Sequence, residues 1–498
     1  MKNYIVSLSK IDIENSFEDN DIKMYLTDGN DNELISPTII SLLEENNKIK
    51  DSKIIYANTF AYNEQEQTHT YRIRIWLKEN VDMSKYTKVV ETETGTNVSL
   101  EQKTYKFKIN VNTIENLDTS GANKPVLASN MIPVYYDETE EVWKKANKDN
   151  NDKTNPWYSY NKAGEYKGMW ANAVTVTSDK LEIYKNASVG TTISMDDIAT
   201  MWVWIPRFNA VTPSNYNGGT ADNPGAIDVT FVKQNETAID AFTFGNKELS
   251  GFWYGKFEIG GSLASSCTNE TCNVSNIVVK PNVSSLRNQT VSSFFFASRS
   301  MEQTGNSFGF VNIEVDIHMS KNNEWGAVAY LTQSIYGRCT SNTTCTEVGI
   351  NNNTSYITGI GDKPSSTASS VKTNTYNTIS GKDASTTGTI YGIYDMSGGS
   401  WEYVMGVYSN KISDSGFSSL PDNKYYNNYT ATSYTGHAIS ETKGWYNDQS
   451  FSVYFSVYPW FKRSCFYDDG ELSGMFAFYG SSGINGNNSA SRFVITNE

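Results

Sequence analysis

Tyr391-Gly-Ile-Tyr-Asp-Met-Ser-Gly-Gly-Ser-Trp-Glu-Tyr-Val404 is the stretch on which the reading of this chain turns. Four large side chains suited to a core, Tyr394, Met396, Trp401 and Tyr403, flank the consecutive glycines Gly398 and Gly399. Glycine reaches backbone conformations closed to other residues, so the pair marks a tight turn between two core-directed segments. Asp395 and Glu402 invite reading as a catalytic pair. Carboxylates buried in such a run more often accept hydrogen bonds from backbone amides and shape the fold, and that is the expectation for both.

Around this stretch the composition is that of a well-packed, loop-rich protein. Aromatic residues make up 13% of the 498, and Tyr (32) outnumbers Phe (22) and Trp (11), which is ample for a core. Only 19% is charged; Asn, Ser, Thr and Gly fill the polar positions, as in loops that hydrogen-bond without carrying charge. The length predicts roughly three ordinary domains, fewer if they are β-rich. A net charge of −14 repels phosphates, which excludes nucleic acid and anionic membrane as main partners. No apolar run is long enough to span a bilayer, and Met1 does not open a charged-then-apolar signal segment. The expectation is an export signal or anchor trimmed from this chain, or carriage on a virion; contact with a membrane would come only through such an anchor.

Four of the five cysteines form two tight pairs, Cys267-Thr-Asn-Glu-Thr-Cys272 and Cys339-Thr-Ser-Asn-Thr-Thr-Cys345. Small polar residues between the sulfurs favour two local disulfides and an oxidising compartment. Free thiols and a four-cysteine zinc site are the alternatives, and the spacing fits no structural-zinc pattern. Cys465 is left over, and a lone thiol is more often inert than nucleophilic.

Residues 1–115 read as a β-sandwich stalk. Tyr71, Ile73, Ile75 and Leu77 alternate with Arg72 and Arg74, and Tyr105, Phe107, Ile109 and Val111 repeat the pattern, each set directed inward. Asp28-Gly-Asn-Asp31 marks a hairpin turn; Ile35–Leu43 is a short helix or a strand. A polar linker follows over 116–128, centred on Glu115–Lys124, and a head domain occupies 129–498. There the spacing predicts a helix over Asp137–Asn147, another starting at Ser194, and a strand Met201-Trp-Val-Trp-Ile205 ended by Pro206. The tracts Asn351–Ser385 and Asn410–Ser440 read as long loops. The fold class expected is α+β and β-rich.

The run 391–404 resembles the signature of the formylglycine-generating-enzyme (sulfatase-modifying-factor) family, Gly-Leu-Tyr-Asp-Met-x-Gly-Asn-Val-Trp-Glu-Trp. Glu324–Tyr330 is similar to its helix leading into the core. Trp460-Phe-Lys-Arg-Ser-Cys465 stands where the family has Arg-Gly-Gly, and Ala490–Ile495 is similar to its closing strand. The resemblance covers about residues 130–498 and implies a C-type-lectin-like head in which short strands carry long loops.

The family's enzymes use a cysteine pair near the C-terminus to bind copper, and here Cys465 stands alone. The related iron-dependent sulfoxide chemistry uses histidines, and only His69, His318 and His437 are present, far apart. A calcium-dependent sugar site is approximated only by Trp445-Tyr-Asn-Asp448. No catalytic residue, metal or cofactor is therefore assigned. The remaining branch implied by the resemblance comprises retroelement-diversified variable proteins and phage receptor-binding tips. Tyr446, Asn447, Asp448, Phe451, Tyr454, Tyr458, Tyr467, Asp468, Asp469, Tyr479, Asn485 and Asn487 form a Tyr- and Asn-rich tail suited to ligand contact, because Tyr gives large contact area at low entropy cost. The expected protein is extracellular, on a bacterial cell surface or a virion, and binds a protein or glycan. A divergent metal-dependent oxidase and a structural surface subunit are the alternatives.

Overall fold

The side chains that bury best along this chain gather into two separate compact units, Met1–Leu117 and Asp118–Glu498. The computed structural model describes residues 2–497 except 12–15, 44–50, 61–67, 93–94, 101–102, 115–123, 153, 273–274, 365–373, 432 and 452–456. Residues 116–123 of the expected linker thus lie outside the described residues. The fold is β-rich, with several antiparallel sheets, and among the described residues no helix is long and apolar enough to cross a membrane.

In the first unit, strand Lys2–Ile11 is flanked by Ser52–Phe60 and Lys106–Ile114, and strand Ile22–Asp28 by Glu33–Ile39 and Tyr71–Leu77. Tyr4, Val6 and Leu8 of one sheet share an apolar cluster with Ile22, Met24 and Leu26 of the other. Asp28 turns the chain by accepting the N–H groups of Asn30 and Asn32. The ambiguous segment is both things, a strand over Glu33–Ile39 and then a 3-10 turn over Ile40–Leu42. The inward alternation fails at Ile109, Val111 and Leu77, which are exposed. Ile109 and Val111 stand opposite the buried Leu8 and Val6, but on an edge strand, where the sheet offers cover from one side only.

The second unit is organised by a seven-stranded antiparallel sheet. Its order is Val142–Lys145, Ile132–Asp137, Asn172–Val176, Ile198–Pro206, Gly251–Gly255, Phe493–Asn497, Val315–Met319. The central strand Ile198–Pro206 is buried almost throughout, which is why it reads as a continuous apolar run rather than an alternating one. Trp204 and Trp253 pack edge-on across it at 5.2 Å. The helix expected over 137–147 is instead a hairpin between the first two strands. Asp137 accepts the N–H groups of Thr139 and Glu140 and pairs with Lys144, and Glu141 takes a φ of 55°. With only Val142, Trp143 and Ala146 apolar, the segment carries too little periodicity to distinguish helix from strand. Ser194 likewise opens a single turn, its carbonyl accepting from Asp197 and Ile198 before the strand begins; the helix lies earlier, at Leu181–Asn186.

A five-stranded sheet completes the unit. Trp401–Tyr408 is paired in parallel with Asn427–Tyr429 and Ser489–Ser491 and antiparallel with Trp460–Ser464, which pairs in turn with Gly474–Ser481. Helix Asn322–Thr332 is buried along its whole length, and Glu324 reaches back to the Lys321 N–H at 2.7 Å. The run 391–404 lies in the core: Tyr394 stacks on Phe257 at 5.3 Å, and Gly398 has a φ of 74° where a Cβ would lie 2.3 Å from the Asn351 carbonyl.

The charges buried here are unusual in number. Asp395 accepts from the Gly359 N–H and the Asn351 amide at 2.9 and 2.8 Å, as expected of a carboxylate that shapes the backbone. Glu402 departs from that expectation, because its partner is Arg492, at 2.5 and 3.1 Å. Glu258 accepts the Ser400 N–H at 2.7 Å and the Ser285 hydroxyl. Burial raises the pKa of Glu258, Asp395 and Glu402, though Arg492 opposes it at the last two. In a second network, burial lifts Glu302 to about 7 despite Arg299. Burial alone would lower the pKa of His318, but Glu324, at 3.0 Å, and Asp316 outweigh it and raise the pKa.

These groups hold protons more tightly in the folded protein than in the unfolded one, so their stabilisation is complete below the unfolded pKa and is lost as pH rises through the folded one. The window opens near pH 4.5 and extends to about 7 for Glu302, and begins at 6.5 for His318. Asp316 and Glu324, whose pKa values are lowered, act in the opposite sense in acid. Lys256 and Lys462, whose pKa values burial lowers, the second to about 8, offset part of the loss as pH rises through their folded values; the raised carboxyls and His318 outnumber them. The second unit is therefore expected to melt several degrees higher at pH 5.5 than at pH 8.5 in calorimetry. A melting temperature that is flat or rises over that interval contradicts this assignment.

Candidate ligand-binding surface

Trp401 opens its strand at the surface end of the five-stranded sheet. It is 6% exposed and belongs not to the main core but to a small cluster with Cys465 and Ala477, against which Phe466 packs. Its N–H donates to the Asn488 carbonyl at 2.9 Å. Tyr479, carried by Gly474–Ser481, lies 5.6 Å from the Trp401 ring, and Phe451 stands edge-on 5.3 Å from Tyr479. On the other side Phe466 leads to Tyr467 at 5.5 Å, and Tyr467 meets Tyr356 edge-on at 5.0 Å. Arg287 lies 3.8 Å from the centre of the Tyr356 ring and donates to the Asn487 carbonyl. Asn485 donates to Asn288 at 3.3 Å.

These contacts form a band of rings and amides around Trp401. Phe451 and Tyr479 are 51% and 42% exposed. Asp468, Asn485 and Asn487 are exposed, while Tyr467 and Asp469 are half-buried. Edge-on contacts at Phe451–Tyr479, Phe466–Tyr467 and Tyr467–Tyr356 order the rings, while Arg287 covers a face of Tyr356. The backbone supports the arrangement: the Tyr467 N–H donates to the Gly399 carbonyl at 3.0 Å, so the tight glycine turn also positions this side of the band.

The other expected contact residues lie elsewhere. Tyr446 and Asp448 are buried, and so are not surface ligands. The Tyr446 hydroxyl donates to Gln333 at 3.1 Å. Asp448 accepts the Phe476 N–H at 2.8 Å and rests on Gly474, where a Cβ would lie 1.9 Å from its carboxylate. Burial pushes Asp448 up to about 8, and burial together with the Asp448 charge pushes Glu347 to about 9. Asn447 is exposed but its amide turns to Asp222. Tyr458, 52% exposed, precedes the far end of strand Trp460–Ser464. Tyr454 lies outside the described residues. Sequence reasoning missed Arg287, Tyr356 and Phe466. Arg287 and Tyr356 pair with the tail at long range, whereas Phe466 lies within the tail beside Tyr467 and was passed over there.

The reactive groups are all engaged. Cys267–Cys272 and Cys339–Cys345 are paired, with Cα atoms 4.1 and 3.9 Å apart. Cys465 is fully buried, its thiol 3.4 Å from both the Gln449 side-chain oxygen and the Leu472 carbonyl, either of which can accept its single proton. Burial, with the negative charges of Asp469 and Asp448, raises its pKa far above the ordinary thiol value. His318 lies between Asp316 and Glu324, and His437 between Asp240 and Tyr429 at 2.6 and 2.7 Å. Among the described residues no group of three or more His, Cys, Asp or Glu is placed to hold a metal ion. No known family model matches the chain, and no curated protein matches it.

A thiol needs exposure and a depressed pKa to react. Cys465 is therefore expected to resist maleimide in the native protein at pH 7.5 and to be labelled stoichiometrically in guanidinium. Rapid labelling of the folded protein contradicts its burial.

Proposed function

We propose that this protein is an extracellular ligand-binding or adhesion protein, in which an N-terminal β-sandwich stalk carries a C-type-lectin-like head and the head engages a protein or glycan through the band around Trp401. The observation that carries the proposal is the row Phe451, Tyr479, Tyr467 and Tyr356, the first two exposed and the last two half-buried, set at fixed spacing about the buried Trp401 and edged by the amides Asn485 and Asn487. Rigid rings beside adaptable amides are the chemistry of paratopes.

The lectin-like reading is supported at the run Trp460–Cys465. Ser464 and Cys465 stand where the resembled family has two glycines, and both take positive φ, 80° and 65°. A non-enzymatic role is supported by the burial of Cys465 and the raised pKa of its thiol, which disfavours the thiolate that soft-metal oxidation requires. The two disulfides support an oxidising compartment, outside the cytosol. A Tyr-rich surface of this kind on a lectin-like scaffold suits a diversified variable protein or a phage tip, as well as a cell-surface adhesin.

The test is to screen the whole protein against protein and glycan arrays and to titrate the strongest hit with variants. Tyr467→Ala and Tyr479→Ala together are expected to weaken binding by more than ~2 kcal/mol, the scale of interface hot spots. Tyr479→Ala should cost about 0.5 kcal/mol of stability, as at an exposed position, and Tyr467→Ala, which is half-buried, about 1 kcal/mol. Trp401→Ala should instead lower stability by ~3–5 kcal/mol. Unchanged affinity in the double tyrosine variant removes the band as the ligand site.

A further inference from the structure

A second recess lies on the head, sharing no residue with the Trp401 band. Two neighbouring hollows of about 400 and 360 Å³ run along helix Val291–Ser300, and Glu270, Phe295, Phe296 and Pro421 border both. Together they form one cleft of the size that takes a small ligand. The half-buried Phe296 forms its floor over the buried Phe295, with Phe417 and Tyr425 packed 5.7 and 5.3 Å from the Phe295 ring.

Both walls are fixed. One is the loop closed by Cys267–Cys272. Its Asn269 carboxamide oxygen accepts from Thr290 and Ser293 at 2.7 Å, and its backbone carbonyl accepts from Ser292, so the loop is tied to the start of the helix. The other is the segment 417–421. There Phe417 stacks on Trp460 at 5.8 Å, and Gly416, with a φ of 85°, leaves room for Asn269 where a Cβ would lie 2.7 Å from it. A disulfide-closed loop and a glycine-fitted one keep the cleft open without a ligand, which lowers the ordering cost of binding.

The chemistry of the lining selects the occupant. The two charged residues lining the hollows are Glu270 and Arg299. Arg299 is already paired with Asp316, at 2.5 Å, and with Glu302, so no positive charge is left for an anionic ligand. The remaining polar groups at the rim, Asn269, Thr271, Ser418, Ser419 and Gln303, are neutral hydroxyls and amides that both donate and accept. Neither wall is a strand, so an extended peptide finds no edge to pair with. Aromatic faces carry partial negative charge and attract polarised C–H groups. Glu270, shared by both hollows, repels anions and accepts from hydroxyls, so a neutral ligand with C–H faces and many hydroxyls is the complement of this lining. We infer that the cleft between the Cys267–Cys272 loop and segment 417–421 binds a neutral oligosaccharide.

The test is calorimetric titration of the whole protein with cellopentaose, chitopentaose, xylopentaose and maltopentaose, with an acidic decapeptide as control. At least one sugar is expected to bind saturably. Phe296→Ala should weaken that binding by about tenfold or more, and Ser419→Trp, which fills the cleft from its exposed rim, should abolish it while leaving the melt unchanged. Tyr479→Ala should leave it intact, which separates this site from the Trp401 band. Absence of binding to all four sugars, binding that survives Ser419→Trp, or binding of the acidic peptide alone overturns the inference.

Discussion

The second unit depends on the grip of Arg492 on Glu402. Arg492 sits between Ser489–Ser491, which pairs into the five-stranded sheet, and Phe493–Asn497, which pairs into the seven-stranded one. Its guanidinium is fully buried and donates to both Glu402 oxygens, to the Gly255 carbonyl at 2.8 Å and to the Tyr394 carbonyl at 2.9 Å. One side chain thus joins a strand of each sheet to the glycine-turn run. Desolvating a charge is costly, and a buried pair is tolerated when all its hydrogen-bonding capacity is satisfied. Here the planar fork of arginine meets a carboxylate and two carbonyls at once, a geometry that lysine could not provide.

From that junction the surface chemistry follows. Trp401 immediately precedes Glu402, and Asn488 and Ser489 precede Arg492 by a few residues, so fixing the ion pair also fixes the start of the strand that presents the aromatic band. The Gly398–Gly399 turn, held by the Glu258 and Asn351 side of the core, sets the approach of Tyr467. Loops placed on a rigid scaffold in this way can vary in composition without loss of fold. Their aromatic contacts with one another, rather than regular secondary structure, hold the rings in place.

Much of this was legible in the sequence where the determinants are local. The paired glycines of the 391–404 run, the two cysteine loops and the apolar strand ended by Pro206 each carry their structural reason within a few residues. The hairpin Ile132–Lys145 was not, because its turn is made by Asp137 and a left-handed Glu141, and its second strand, Val142–Lys145, offers only two adjacent apolar residues, which reveal no period of two. Tyr446 and Asp448 read as surface residues from composition alone. They are buried because their loop packs on partners far away in sequence, with the Tyr446 N–H on the Ala221 carbonyl and the Asp448 carboxylate over Gly474. Glu402 looked like a cap for amides because nothing near it in sequence announces Arg492, ninety residues on. Long-range partners of loops are what a single sequence conceals.

The central claim is that the Arg492–Glu402 pair is a coupled clamp and not two independent polar groups. A double-mutant cycle in urea tests it most directly, with Arg492→Met, Glu402→Gln and the two combined. Each single substitution is predicted to cost about 3–5 kcal/mol, because it leaves a buried group without its partner. The double variant should recover about 2 kcal/mol of the summed loss, within the range of contacting pairs. Losses that add to within ~0.5 kcal/mol would show that the two residues act separately, and would contradict the account.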